Sequence, residues 1–223
     1  MSVVFDTIDL LTLRIAPPKA SKGAAGCKTA YILGHGGKKL LIQTPLMTLP
    51  WDITPKKMDE NSGVTAALSL SFVGMDEKDP DDELHKFMRF VMDFDLKIKD
   101  LISRSGGALG KKSEEKLLEA NFKESVKEST SGDYPPTIQP KIWVSLRDGG
   151  SVQNVEDYIM DISVFNLDGD GIGKDQLKKG CPAAAIVEPS YVWYSALGVG
   201  ITWVAKQVVI KPSEKGTFDF KLG

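Results

Sequence analysis

Cys181–Pro212, CPAAAIVEPSYVWYSALGVGITWVAKQVVIKP, reads as two strands joined by a Gly-containing turn. β-branched and aromatic residues crowd both arms, as a pleated, half-buried surface requires. The segment holds two of the four tryptophans, Trp193 and Trp203, with Tyr191, Tyr194 and one mid-strand lysine, Lys206. Rings and a cation on one hairpin suit a surface that stacks flat groups and meets anions. They equally suit a packed hairpin in which Trp193 and Trp203 form a cross-strand pair worth about 0.2–1 kcal/mol. By parity Lys206 stands on the opposite face from Trp203, so one groove takes both only across a bulge.

Working outward, Ile138, Ile142, Val144 and Leu146 alternate with Gln139, Lys141, Trp143, Ser145 and Arg147. One face of this strand is core and the other is polar with a single tryptophan. Val155–Leu167 is a further strand, followed by a DGDG turn. Upstream, residues 3–15 read as a strand ended by Pro17 and Pro18. Lys28–Leu33 and Lys38–Pro45 read as a hairpin across the GHGG turn. Leu46–Lys57 is irregular because prolines interrupt ladder bonding. Val64–Val73 alternates as one half-buried strand.

Between the strand groups the period changes. Leu84, Phe87, Met88, Val91, Phe94, Ile98, Leu101 and Ile102 follow the three-and-four spacing of an amphipathic helix. Asp79 is the expected N-cap with Pro80 at the first helical position, and Gly106–Gly107 the expected end. A shorter helix is expected at Ser113–Lys127. The order strands, helices, strands predicts a mainly β chain of one domain over residues 1–223. The helices form an insertion at 79–128, followed by a Pro-rich linker segment at 129–140. A five-stranded OB-like Greek-key barrel with its helix insertion between middle strands fits this order.

Composition narrows the function. The 223 residues are 42 % hydrophobic and 26 % charged, ordinary for a globular protein. The formal net charge is −2, so any anion-binding site is a local patch and not a global field. Cys27 and Cys181 with His35 and His85 are too few for a disulfide scaffold or a usual zinc site. Asn166, Asp168, Asp170 and Gly171 imitate the start of a calcium loop, but Leu177 stands where the bidentate Glu belongs. An Asp-Gly turn explains the same residues. Gly106–Lys112, GGALGKK, lacks the strand and spacing of a nucleotide-binding loop. No Ser/His/Asp or Cys/His set stands out, so no catalytic residue, metal or cofactor is expected. The N-terminus lacks a signal-peptide pattern, and no apolar run reaches the roughly 18–20 residues of a membrane span. An intracellular, non-enzymatic protein is expected.

Three segments together carry a family resemblance. QTPLMTLPWDI (Gln43–Ile53), followed by the strand at Leu68–Phe72, resembles the QTP-x-M-x-x-P-aromatic-G/D-aliphatic segment of a viral family. That family is the phage-type single-stranded DNA-binding proteins of nucleocytoplasmic large DNA viruses. PTIQPKIWV (Pro136–Val144) resembles its central strand. YVWYSALGVGITWVAKQVVI (Tyr191–Ile210) is similar to its closing hairpin. The resemblance runs from about Leu40 to Lys211. It implies an OB-fold protein that coats single-stranded DNA in viral replication and recombination, inside an infected host cell, in the nucleus or a cytoplasmic virus factory. Viral DNA polymerase and helicase-primase are the implied protein partners, with a possible homodimer. The family's acidic tail ending in an aromatic residue has no counterpart in KGTFDFKLG (Lys215–Gly223).

The candidate stacking residues are Trp143, Trp193, Tyr194, Trp203 and Trp51. The candidate phosphate ligands are Lys141, Arg147, Lys206, Lys111 and Lys112. Each has a structural alternative. Trp143 packs under the inserted helix, Trp51 plugs one end of the barrel, and the GGALGKK lysines are plainly solvated. The rival from another class is a virion or scaffold protein whose aromatic β-surface binds protein. An RNA-binding OB protein is a third reading, distinguished by preference for 2′-hydroxyl-bearing strands.

Overall fold

The computed structural model describes residues 3–21, 26–57, 64–105, 108–110, 115–151 and 154–211. Its centre is the hairpin of Pro182–Ser195 and Gly198–Ile210. The arms pair from Ser195↔Gly198 to Ala183↔Ile210, with irregularities at Ile186/Val187 and Pro189/Tyr191. This hairpin is the frame to which other strands attach. The mainly β expectation holds, with the one long helix among the described residues lying between strand groups.

The strand pairings close on themselves. Lys141 lies parallel to Val204 of the second arm. Lys141–Leu146 also pairs antiparallel with Val64–Ala67. Just before Pro140, Thr137–Ile138 pairs antiparallel with Leu70–Ser71. Ser71 pairs with Thr48, and Met47–Thr48 pairs with Pro182–Ala183 of the first arm. That last pairing returns the circuit to the hairpin.

Helix α1 (Glu83–Ser103) covers one part of this circuit. Phe87, Val91, Phe94, Ile98 and Ile102 recur every three or four residues and are all fully buried. Phe87 meets Phe5 edge-on at 5.2 Å, and Phe94 lies 5.1 Å from Trp203. Truncating such a ring costs about 3–5 kcal/mol, so Phe94→Ala is the change that most directly unseats the helix. The N-cap is Asp82, not Asp79, because its carboxylate accepts from the His85 N–H at 2.7 Å. Asp79 instead closes a local turn, accepting from the Asp81 N–H. The helix ends at Ser103; Gly106–Gly107 lie outside the described residues.

Several expected elements are broken up. Residues 3–15 are not one strand: 3-10 turns at Phe5–Thr7 and Leu10–Thr12 separate Val3–Val4 from Arg14–Ile15. The hairpin at 28–45 does not form. Lys28–Leu33 pairs with the first arm, and Ile42–Gln43 pairs with Ile186–Val187 of the same arm. The long hairpin outcompetes the local turn for ladder bonds. Val64–Val73 divides at Leu68–Ser69, and its expected polar face is partly buried at Ser69 and Ser71. Of the helix expected at Ser113–Lys127 the described part is α2 (Glu115–Asn121), with Ser113 and Glu114 outside the described residues; Phe122–Lys123 and Val126–Lys127 join the sheet instead. Phe122–Lys123 runs parallel to Val199–Gly200, and Val126–Lys127 antiparallel to Thr137–Ile138. No helix among the described residues is long and apolar enough to cross a membrane.

Candidate nucleic-acid interface

On the outer side of the strand circuit two clefts meet. The first, about 490 Å³, is lined by Trp51, Asp52, Lys56, Thr65, Gln139 and Lys141, among others. The second, about 190 Å³, is lined by Lys123, Lys127, Gln139, Lys141 and Trp193, with Trp203 in its floor. Gln139 and Lys141 line both, so the two clefts adjoin at this strand as one candidate channel. Strand alternation explains why. Gln139, Lys141 and Trp143 are exposed, while Ile138 and Ile142 are buried.

Each tryptophan reaches its place by a specific device. Trp51 follows Pro50 in an irregular stretch and is 44 % exposed. Its indole N–H donates to Ser69 Oγ at 3.0 Å, which pins one edge and leaves a face open. Trp193 stands opposite Gly200 across the hairpin. A Cβ on Gly200 would lie 2.8 Å from Trp193 Cζ2, so the missing side chain is what lets the ring lie down there. Trp143 is also 44 % exposed and shares the Lys141 face, two residues along the strand. Arg147 lies six residues beyond Lys141, roughly 20 Å at the rise of a strand. Its backbone N–H bonds the Asp157 carbonyl at the strand end. The channel does not include it.

Three other candidates are held by other contacts. Trp203 is 4 % exposed; it packs on Phe94 and donates its indole N–H to Ser125 Oγ at 2.7 Å. It offers no face for stacking. Nor does it pair with Trp193, because its register partner is Pro189. Tyr194 shares the inward parity of fully buried Val192 and packs against the core, and a Cβ on Gly110 would overlap its ring. Lys206 is committed to Glu188, 3.2 Å away, which also pairs with Lys39 at 3.2 Å. Burial pushes the Glu188 carboxyl up, but hydrogen bonds from Lys206 and Lys39 outweigh it and hold it below the usual glutamate value. Lys111 and Lys112 lie outside the described residues.

The channel's charges are sorted. Lys56, Lys123 and Lys141 make no ion pair with any described residue. Lys127 turns its ammonium back to the Glu124 carbonyl. Burial of that ammonium lowers its pKa, against the pull of Asp95 and Glu124. The two acids at the channel are occupied. Asp52 accepts from the Lys179 N–H at 2.7 Å, and Glu124 pairs with Lys99 at 2.8 Å. Asp95 holds Ser125 of the second cleft from behind, and burial pushes its carboxyl up to about 7, opposed by the two bonds from Ser125 and assisted by Glu124. Among the described residues no group of three or more His, Cys, Asp or Glu is placed to hold a metal ion.

Sequence reasoning missed Lys56, Lys123 and Lys127. The helix expected through Lys127 hid the last two. Asn121 ends α2 and Phe122 enters the sheet, a break that β-branched Val126 beside Ser125 hints at.

No family model matches the chain, and no curated protein matches it. Among solved structures the chain is similar to the single-stranded DNA-binding protein from bacteriophage Enc34 in complex with ssDNA. The identity is 10 % and the TM-score 0.43, over 91 % of this chain and 98 % of that one. It is also similar to gp2.5, a single-stranded DNA-binding protein encoded by bacteriophage T7. There the identity is 12 % and the TM-score 0.42, over 81 % of this chain and 96 % of that one.

Proposed function

We propose that this chain binds single-stranded DNA without sequence preference, as a member of the phage-type class found in large DNA viruses. Its strand circuit is then an OB-like Greek-key barrel forming one domain over residues 1–223. The insertion is 79–128 and the linker 129–140. The observation that carries the reading is the channel, whose lining brings Trp51 and Trp193 together with Lys56, Lys141, Lys123 and Lys127.

The mechanism follows from those groups. Bases lie on the open indole faces, each stack worth about 1–3 kcal/mol whatever the base. The lysines displace counterions from the phosphates, and affinity falls as salt rises. Trp51 is held by Ser69 before any strand arrives, so little rotamer freedom is lost on binding. Trp143 extends the platform along its strand. The body's net charge of −2 confines the attraction to the channel. The role is in viral replication and recombination, in an infected cell. Polymerase and helicase-primase are the protein partners, and the chain has no catalytic step of its own.

Titration of oligo-dT into the protein with a filter or fluorescence readout tests this. Saturable binding that weakens with salt, and weakens further in Trp193→Ala, supports it. Binding that is absent at low salt in a folded protein overturns it in favour of a structural, protein-binding surface.

A further inference from the structure

We infer that Asp95, buried on α1, is a positioning residue that holds the cationic wall of the second cleft in place through Ser125. This rests on the single-stranded DNA reading of that cleft and names a control point within it.

The wall is the segment from Phe122 to Lys127. It is tied to the sheet by two strands of only two residues each, Phe122–Lys123 and Val126–Lys127. Each strand carries one of the wall's lysines. Ser125 lies between them and is 7 % exposed. Its N–H donates to Asp95 Oδ2 and its hydroxyl to Asp95 Oδ1, both at 2.6 Å. The same hydroxyl accepts the Trp203 indole N–H at 2.7 Å. One serine is therefore fixed from helix and hairpin at once, midway between Lys123 and Lys127.

A second contact from the same helix face points the same way. Lys99, one turn beyond Asp95, binds Glu124 at 2.8 Å and Glu119 at 3.1 Å. That pairing takes up the wall's own carboxylate, which would otherwise compete with phosphates for Lys123 and Lys127. Asp95 is 2 % exposed among Val91, Phe94 and Ile98, all fully buried. An apolar side chain at such a position usually costs the fold less than an ionisable one. What the carboxylate adds is a fixed geometry for the lysines.

The test compares Asp95→Ala, Asp95→Asn and Ser125→Ala with Lys123→Ala/Lys127→Ala. For each, oligo-dT affinity is measured across salt concentrations, with urea unfolding in parallel. Each lysine withdrawn from the phosphates flattens the salt slope by about 0.7. Asp95→Ala is expected to flatten it by about 1.4, as the double lysine variant does. That is about 25-fold weaker binding at 0.1 M salt, converging on wild type near 1 M. Asp95→Asn, which keeps the shape and one acceptor, is expected to recover part of the slope. If Asp95→Ala does not fold, Asp95→Asn and Ser125→Ala carry the comparison. A slope that stays at the wild-type value while unfolding free energy drops would show mere packing and overturn the inference. If wild type binds no oligo-dT at all, the parent reading has failed and takes this one with it.

Discussion

Removing Lys206 should weaken the fold and leave nucleic-acid binding alone. Glu188 is 3 % exposed at its side chain, between Lys206 at 35 % and Lys39 at 66 %. Its Oε1 also accepts from Ser190 Oγ at 3.1 Å. Lys206→Ala keeps Lys39 and Ser190 on the carboxylate, so the expected loss is about 1 kcal/mol, at the upper end for a partly exposed pair. Lys39→Ala/Lys206→Ala strands a buried carboxylate, at a cost of about 3–5 kcal/mol. For a chain of 223 residues this corresponds to a fall in melting temperature of roughly 6–20 °C. Adding Glu188→Gln should return most of it, because the stranded charge is gone. Urea unfolding measures each step, with oligo-dT salt slopes recorded on the same samples. The slope should stay at the wild-type value in Lys206→Ala. Unchanged stability with a slope flattened by about 0.7 would refute the reasoning and make Lys206 a phosphate ligand.

Tryptophan variants should separate by location: Trp51→Ala and Trp193→Ala should each weaken oligo-dT binding by about 1–3 kcal/mol with little change in unfolding. Trp203→Ala should cost about 3–5 kcal/mol of stability. Gly200→Ala should displace the Trp193 ring without replacing it, because the new Cβ collides with the indole; a changed Trp193 emission and weaker binding, at nearly wild-type stability, are the expected readouts. The pH dependence has two opposite signs. Asp95 has a native value raised to about 7, so its contribution is full in acid and is lost as pH rises. Between pH 5 and 7 the loss is about 2 kcal/mol, and Asp95→Asn should flatten it in urea titrations at each pH. Glu188 is held low, so its contribution is present above about pH 4.5 and disappears as pH falls through its native value, which Glu188→Gln should abolish.

Much of the fold was legible because periodicity survives where burial is one-sided. The α1 apolar positions, the alternation of Ile138–Val144 and the closing hairpin all read directly from residue types. The short strands did not, because a two-residue strand carries no period and is recruited by a longer neighbour. Ile42–Gln43 is the clear case. Its local turn suggested a hairpin, yet the first arm of 182–195 took its backbone bonds. At the candidate site, Lys141 and Trp143 were legible as polar-face residues, Trp51 as a loop aromatic and Trp193 as a hairpin aromatic. Trp203 was not, because hydrophobic-face parity is ambiguous on a strand covered by a helix. A turn placed at Ala196–Leu197 would have settled it, since the resulting register puts Trp193 with Gly200 and leaves Trp203 on the other face. Lys206 was misplaced because Glu188 sits far away in sequence and beside it in space.

The most direct measurement is intrinsic tryptophan fluorescence during oligo-dT titration at several salt concentrations. Trp51 and Trp143 are exposed and Trp193 is half-buried, while Trp203 is buried against the core. The account predicts saturable but incomplete quenching, with a log–log salt slope of roughly −2 to −3 for the four channel lysines. No change at low salt, in protein shown to be folded by circular dichroism, would contradict it.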